Sequence, residues 1–308
     1  MLGFPLDLRE GDPMFRRALA VRTFAVWSFV LAASLSIAAD AFSYTGIYTF
    51  GDSLSDTGNL CPTPCPGIPV PPYAPGRFSD GPVWVEGLAA GLGLALTPSS
   101  TGGNNYAVGG ATSTGVLTSQ VPGYLTAVGG AASPTALYVL LAGGNDGLGG
   151  GNPVTAANNV VSAINNLKAA GAQSFLVANL PDLSLTPAVF GNPGAQLFST
   201  TFNATLASGL ATITGVTIFG LDLFALVNQT VANPGDYGFT NVNTACWNGV
   251  TACANPSEYL FWDSIHPTAA AHSRLAEAAL LVIPEPGTGM LVLVGLSVLA
   301  VDRRRRAS

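Results

Sequence analysis

Tyr48-Thr49-Phe50-Gly51-Asp52-Ser53-Leu54-Ser55-Asp56-Thr57-Gly58-Asn59 is the stretch from which the rest of the chain can be read. An apolar, β-type run over 44–50 stops at a glycine and delivers Ser53 into a polar turn. A serine hydroxyl is a poor nucleophile at its own pKa, so a nucleophilic Ser53 requires a base, a group that orients the base, and donors for a developing oxyanion. The chain has two histidines. His266 stands in Asp263-Ser264-Ile265-His266-Pro267, where a carboxylate three residues before the imidazole lets one turn hold both. Pro267 suits the first position of a helix, which would place His266 at that helix's N-terminal end. His272 then falls inside the helix, as a packed or solvated bystander. Asp52, Asp56 and Asn59 are expected to cap and hold the turn that carries Ser53.

Working outward, apolar β-rich runs recur over 44–50, 105–108, 136–142, 174–179 and 216–219. Helical patterns lie between and after them, over 85–94, 154–170, 195–212 and 267–282. The 154–170 stretch shows the period best, with Ala156, Val160, Ala163, Ile164 and Leu167 on one face and Gly171 as a stop. Strands that alternate with helices and are themselves almost continuously apolar predict a mainly parallel sheet covered on both faces. The expected fold class is therefore α/β, a three-layer α/β/α sandwich. Ser53, Gly110 and Asn145 each follow a predicted strand, and ligands of such sheets sit at the carboxyl ends of the strands. The prolines from Pro62 to Pro75 make a long, semi-rigid loop, of a kind that borders sites, and Arg77 beyond it reads as a structural or rim residue.

Composition narrows the function. The 308 residues are 48% hydrophobic and 9% charged, with a net charge of −6. Arg16, Arg17, Arg22 and Arg303 to Arg306 lie near the ends, so the middle is acidic and lacks the basic clusters that nucleic acid requires. Basic residues followed by the apolar stretch 24–39 have the order of a secretory leader, taken as 1–41, with translation starting at Met1 or at Met14. An uncleaved membrane anchor is the alternative. Four cysteines form two close pairs, Cys61 with Cys65 and Cys246 with Cys253. In an exported protein such pairs read as two local disulfides that shape the rim of the site; a four-thiolate zinc site is the alternative, at looser spacing than zinc modules use. No two of His, Cys, Asp and Glu repeat at metal-ligand spacing, so no metal or cofactor is expected.

Four blocks together resemble the GDSL or SGNH hydrolases, a family of esterases and lipases: Gly51-Asp52-Ser53-Leu54; Asn105-Tyr106-Ala107-Val108-Gly109-Gly110-Ala111-Thr112; Gly143-Gly144-Asn145-Asp146; and Asp263-Ser264-Ile265-His266-Pro267. Their order and spacing over most of the chain carry the likeness further than any one tetrapeptide could. The resemblance implies a flavodoxin-like SGNH fold over 42–282. It also implies a nucleophilic Ser53, a general base His266, an orienting Asp263, and an oxyanion hole formed by the Ser53 N–H, the Gly110 N–H and the Asn145 side chain. Gly109 competes with Gly110 for that role. Beyond the domain, Pro284-Glu285-Pro286, the apolar run 290–301 and Arg303 to Arg306 resemble a PEP-CTERM sorting tail over 283–308. That likeness implies an inner-membrane anchor, an exosortase-type processing enzyme as partner, and eventual release to the cell surface or beyond; an ordinary C-terminal anchor is the alternative. The expected function is an exported esterase or lipase acting on acyl lipid or acetylated glycan. Its rivals are a carbohydrate O-acetylesterase acting on exopolysaccharide and a non-catalytic surface or matrix protein on the same fold.

Overall fold

The computed structural model describes residues 44–60 and 68–283. The expected leader, the Cys61 and Cys65 pair and the tail from 284 onward lie outside those residues. A parallel sheet is built from β1 (Ile47–Gly51), β2 (Leu137–Leu141), β3 (Ser174–Ala178) and β4 (Thr217–Leu221), adjacent in that order. Successive side chains of a strand point to opposite faces. Tyr138 and Leu140 accordingly join one core cluster, while Leu137, Val139 and Leu141 join the other.

The helices supply the outer layers. Along the chain they are α1 (Trp84–Gly91), α2 (Val121–Ala127), α3 (Gly144–Leu148), α4 (Pro153–Ala169), α5 (Pro193–Leu210), α6 (Leu223–Ala232) and α7 (Ala269–Val282). Tyr124, Ile164 and Phe202 from α2, α4 and α5 pack with Phe50, Tyr138 and Phe175 on one face. Trp84, Leu88, Leu275 and Ala279 from α1 and α7 pack with Leu137, Val139 and Leu176 on the other. The expected three-layer α/β/α architecture is what forms. Helices α1 and α7 approach closely because Gly87 has no side chain: a Cβ there would stand 2.8 Å from that of Ala276.

Three expectations need correction. Residues 105–108 do not form a regular strand. They run beside β1 through a single parallel bridge, Thr49 with Asn105, and through the amides of Tyr106 and Val108, which donate to Thr49 O at 2.8 Å and Gly51 O at 3.1 Å. Asn105 spends its side chain on the serine turn, and the chain leaves the sheet at Gly109-Gly110, so pairing stops after one residue. Counted as an edge, this segment gives the 2-1-3-4-5 order of flavodoxin-like sheets, whose switch point lies between β1 and β2. Second, α7 starts at Ala269, with Thr268 as N-cap accepting from the Ala271 amide. Pro267 is instead bridged to Phe261, so His266 lies in a turn ahead of the helix. Third, β5 (Asn241–Ala245) and β6 (Tyr259–Phe261) form a small separate sheet that the sequence pattern did not announce.

Candidate active site

The serine turn follows β1 at the switch point. Gly51 is obligatory there, since a Cβ would collide with the carbonyl oxygen of Leu141 on the neighbouring strand. Its amide and carbonyl are gripped by one side chain: Gln120 Oε1 accepts from Gly51 N at 2.9 Å and Nε2 donates to Gly51 O at 2.7 Å. Asp52 Oδ1 accepts from the Leu54 amide. Asp56 Oδ1 accepts from the amides of Gly58 and Asn59, and Oδ2 from that of Gly109. Asn59 Nδ2 donates to the carbonyls of Asn105 and Ala107. The acidic residues of this turn are thus its internal braces, as expected, and Gln120 is a brace that the sequence did not single out.

The second part of the site is a turn folded by its own carboxylate. Asp263 Oδ1 accepts from the Ile265 amide at 2.8 Å and the His266 amide at 2.7 Å, while Oδ2 accepts from His266 Nδ1 at 2.7 Å. With Nδ1 protonated, Nε2 is an acceptor, and Ser53 Oγ stands 2.8 Å from it. Ser53, His266 and Asp263 are 7%, 8% and 8% exposed, dry enough for these bonds to matter and open enough for a small reactant to reach the hydroxyl. Burial alone would raise the pKa of Asp263; the hydrogen bond and charge of His266, the hydroxyl of Tyr73 and the Ile265 amide outweigh it and hold the group down at about 2. Asp52 is pushed the other way, to about 6, chiefly by burial.

Tyr73 was not a sequence candidate. Its hydroxyl donates to Asp263 Oδ2 at 2.7 Å, and it opens a strap over 73–80 that meets the histidine turn repeatedly. The Phe78 ring lies 5.2 Å from that of His266, the Ser79 hydroxyl donates to Pro267 O at 2.9 Å, and Asp80 Oδ1 accepts from the Ala269 amide at 2.7 Å. Arg77 anchors the strap to α1 through Glu86 and braces the strap internally by donating to Pro75 O, the structural role expected of it. The proline loop was the one available signal that this segment borders the site.

Asn145 and Gly110 complete the polar set. Asn145 sits at the start of α3, beyond β2, and lines the same cavity as Ser53 and His266. One hydrogen of its amide goes to Ala111 O, which leaves the other for a ligand. The Gly109 amide is committed to Asp56, whereas those of Gly110 and Ser53 make no hydrogen bond among the described residues. That separates the two glycines in favour of Gly110, which is exposed at φ +76°. His272 is buried, accepts from the Trp84 amide through Nδ1, and is pushed down to about 3 by burial and then by the charge of His266.

Cys246 and Cys253 are disulfide-bonded, which removes the four-thiolate zinc alternative; Cys61 and Cys65 lie outside the described residues. No residue of the 246–253 hairpin lines the cavity beside Ser53. The hairpin supports the histidine turn from behind, with the amides of Cys246 and Trp247 donating to the carbonyls of Phe261 and Trp262. Beside Ser53 opens a cavity whose walls include Leu141, Leu180, Leu183, Leu223, Leu260 and Leu275.

The profile described as GDSL-like Lipase/Acylhydrolase matches residues 47–279. The chain belongs to that family. Among family relatives, esterase EstA of Pseudomonas aeruginosa is 31% identical over 83% of this chain and 50% of its own length. The phosphatidylcholine-sterol acyltransferase of Aeromonas hydrophila is 27% identical over 77% of this chain and 89% of its own. The chain spans about half the length of EstA and of similar Pseudomonas relatives. A GDSL-like lipase candidate from Parabacteroides merdae shares the fold at a TM-score of 0.50 and 13% identity, over 79% of this chain and 97% of that one.

Proposed function

We propose that the protein hydrolyses carboxylic esters through Ser53, His266 and Asp263. The observation that carries this reading is the line of hydrogen bonds from Asp263 through His266 to a serine hydroxyl, 2.7 Å and 2.8 Å long, at the mouth of an apolar cavity. Ser53 Oγ bonds to the ester carbonyl carbon as its proton passes to His266 Nε2, and Asp263 stabilises the imidazolium that forms. The oxyanion is met by the amides of Ser53 and Gly110 and the side chain of Asn145, donors worth about 3–4 kcal/mol each when removed. The carbon–oxygen bond to the alcohol then breaks, and Nε2–H protonates the departing oxygen. Water repeats the sequence on the acyl-enzyme, releasing the carboxylic acid and restoring the serine.

The walls of the cavity favour an apolar acyl group over acetyl. Burial contributes about 0.8 kcal/mol per methylene, so several carbons beyond acetyl suffice for a preference of two orders of magnitude. The leader over 1–41 and the tail over 283–308 extend the proposal to location: an exported enzyme, held at the inner membrane by its tail with the arginines inside, then processed by an exosortase-type enzyme and released outward.

One experiment covers the activity and the substrate. Purified protein and Ser53→Ala are treated with a fluorophosphonate and assayed on nitrophenyl esters from acetyl to palmitoyl, alongside acetylated glycans. The expected result is an adduct on Ser53, a loss of about 10⁴-fold or more in kcat/KM for the variant, and an optimum well above acetyl. Folded protein that takes no adduct would be the non-catalytic surface protein; an optimum on acetylated glycan would make the enzyme a carbohydrate O-acetylesterase.

A further inference from the structure

We propose that Tyr73 is a positioning residue of the ester-cleaving site, acting through Asp263 to set the basicity of His266; this rests on the triad reading above. Asp263 Oδ2 receives two donors, His266 Nδ1–H and the Tyr73 hydroxyl, both at 2.7 Å. The carboxylate is therefore shared. Each donor fixes the other's angle, and the phenol disperses negative charge that would otherwise pull on the imidazole proton alone.

The phenol is held for this task. The Tyr73 amide donates to Val70 O, the ring meets that of the buried Trp262 edge-on at 6.0 Å, and the strap behind it is closed by the Ala74 amide on Ser79 O. Tyr73 stays protonated, because burial, its hydrogen bond to Asp263 and that residue's charge all push its pKa up. The other ionisable groups that face His266 are Asp52 from the serine turn and His272 from α7. Asp80 is engaged with the Ala269 amide and Arg77 with Glu86. Tyr73 is thus the group on the strap that reaches the carboxylate of the turn.

The consequence is a shift in pH dependence. Without the phenol, Asp263 attracts the Nδ1 proton more strongly and the imidazolium is favoured, so the pH below which the base is lost moves upward. A change that only loosened the fold would scale the rate equally at every pH.

The test is the rate of Ser53 phosphonylation by a fluorophosphonate from pH 5 to pH 9 in the wild type, Tyr73→Phe and Ser79→Ala. Phenylalanine keeps the ring against Trp262, and thermal melting and near-UV circular dichroism check that each variant is folded. For Tyr73→Phe the acid limb is expected to move up by about half a unit to one unit and the plateau to fall about 10-fold. In Ser79→Ala, which removes a strap contact without touching Asp263, the limb is expected to stay in place. An unmoved limb in folded Tyr73→Phe overturns the proposal, whether or not the plateau falls. A wild-type protein that is not phosphonylated on Ser53 at any pH overturns the triad reading itself, and the role of Tyr73 with it.

Discussion

The serine turn and the histidine turn meet at one hydrogen bond, yet they are held in different ways. Around Ser53 the braces are mutual and inward: Asp52, Asp56, Asn59, Asn105 and Gln120 bond to the turn's own backbone or to the segment that flanks β1. Around His266 one carboxylate organises the turn, and further support arrives from outside, from the strap over 73–80, the Ala188 amide on Ser264 O and the disulfide hairpin. A nucleophile fixed by a closed network and a base fixed by remote buttresses should fail differently. Damage on the serine side should unfold the site; damage on the histidine side should retune it.

The largest expected effect therefore lies at Asn105. It is fully buried and its amide is saturated: Oδ1 accepts from Thr49 Oγ1 and the Ala107 amide, and Nδ2 donates to Ser55 O and Thr57 Oγ1. Asn105→Ala strands several buried polar groups, each costing about 1–3 kcal/mol. A loss of roughly 3–5 kcal/mol in urea unfolding is expected, with activity falling in step. A loss under about 1 kcal/mol would show that water replaces the amide and that the network is not closed.

A smaller effect separates the two turns by pH. Asp52, beside the serine, titrates in the folded protein at about 6, above the 3.8 of the free group, so the folded state binds the extra proton. Its burial penalty is present above pH 6 and disappears as the pH falls toward 3.8, which makes stability rise on acidification. His272, beyond the histidine turn, is held at about 3 against 6.5 when unfolded. The unfolded chain then binds the extra proton, and stability falls as the pH drops below 6.5. Over pH 6 to 4 the two slopes oppose each other at up to about 1.4 kcal/mol per unit apiece. Asp52→Asn keeps the acceptor for the Leu54 amide and removes one slope. The melting temperature of the variant should fall steadily from pH 6 to 4 where that of the wild type is nearly flat. Parallel curves would mean that Asp52 is not the group being titrated.

The asymmetry also explains what the sequence made legible. Ser53 and the Asp263–His266 pair lie in short motifs whose chemistry is local, so residue type and spacing mark them as candidates, whereas Asn145 enters through the family resemblance and its place after a strand. Strands β1, β2 and β3 were legible as largely buried runs, whereas β4, an edge strand in which only Leu221 is buried, was legible from the apolar character of its 216–219 stretch. Residues 105–108 had the same composition, but the hydrogen bonds of Asn105 to the serine turn outweigh ladder pairing. Helix α6 begins Leu223-Phe224-Ala225-Leu226-Val227, an apolar run whose periodicity does not separate helix from strand. Tyr73 stands among prolines 190 residues from its partner, and no local pattern encodes a contact of that range.

The smallest effect concerns the Cys246–Cys253 bridge, which closes a loop with a sequence separation of 7. Loop-closure entropy for so short a ring corresponds to about 2 kcal/mol, a figure that grows only with the logarithm of ring size. The hairpin touches the histidine turn through backbone bonds to Phe261 and Trp262, and none of its residues lines the cavity. The double variant Cys246→Ser with Cys253→Ser, which leaves Cys61 and Cys65 in place, should therefore lower the melting temperature by several degrees. It should reduce kcat modestly, by loosening Trp262 next to Asp263, and leave KM and the acyl-chain optimum as they were. A changed optimum with an unchanged melting temperature would put the hairpin at the substrate and reverse the assignment of this loop as a buttress. The effect is expected to be small because the same turn keeps independent supports in the strap and in the Ala188 amide on Ser264 O, and only loss of all of them should release His266 from Ser53.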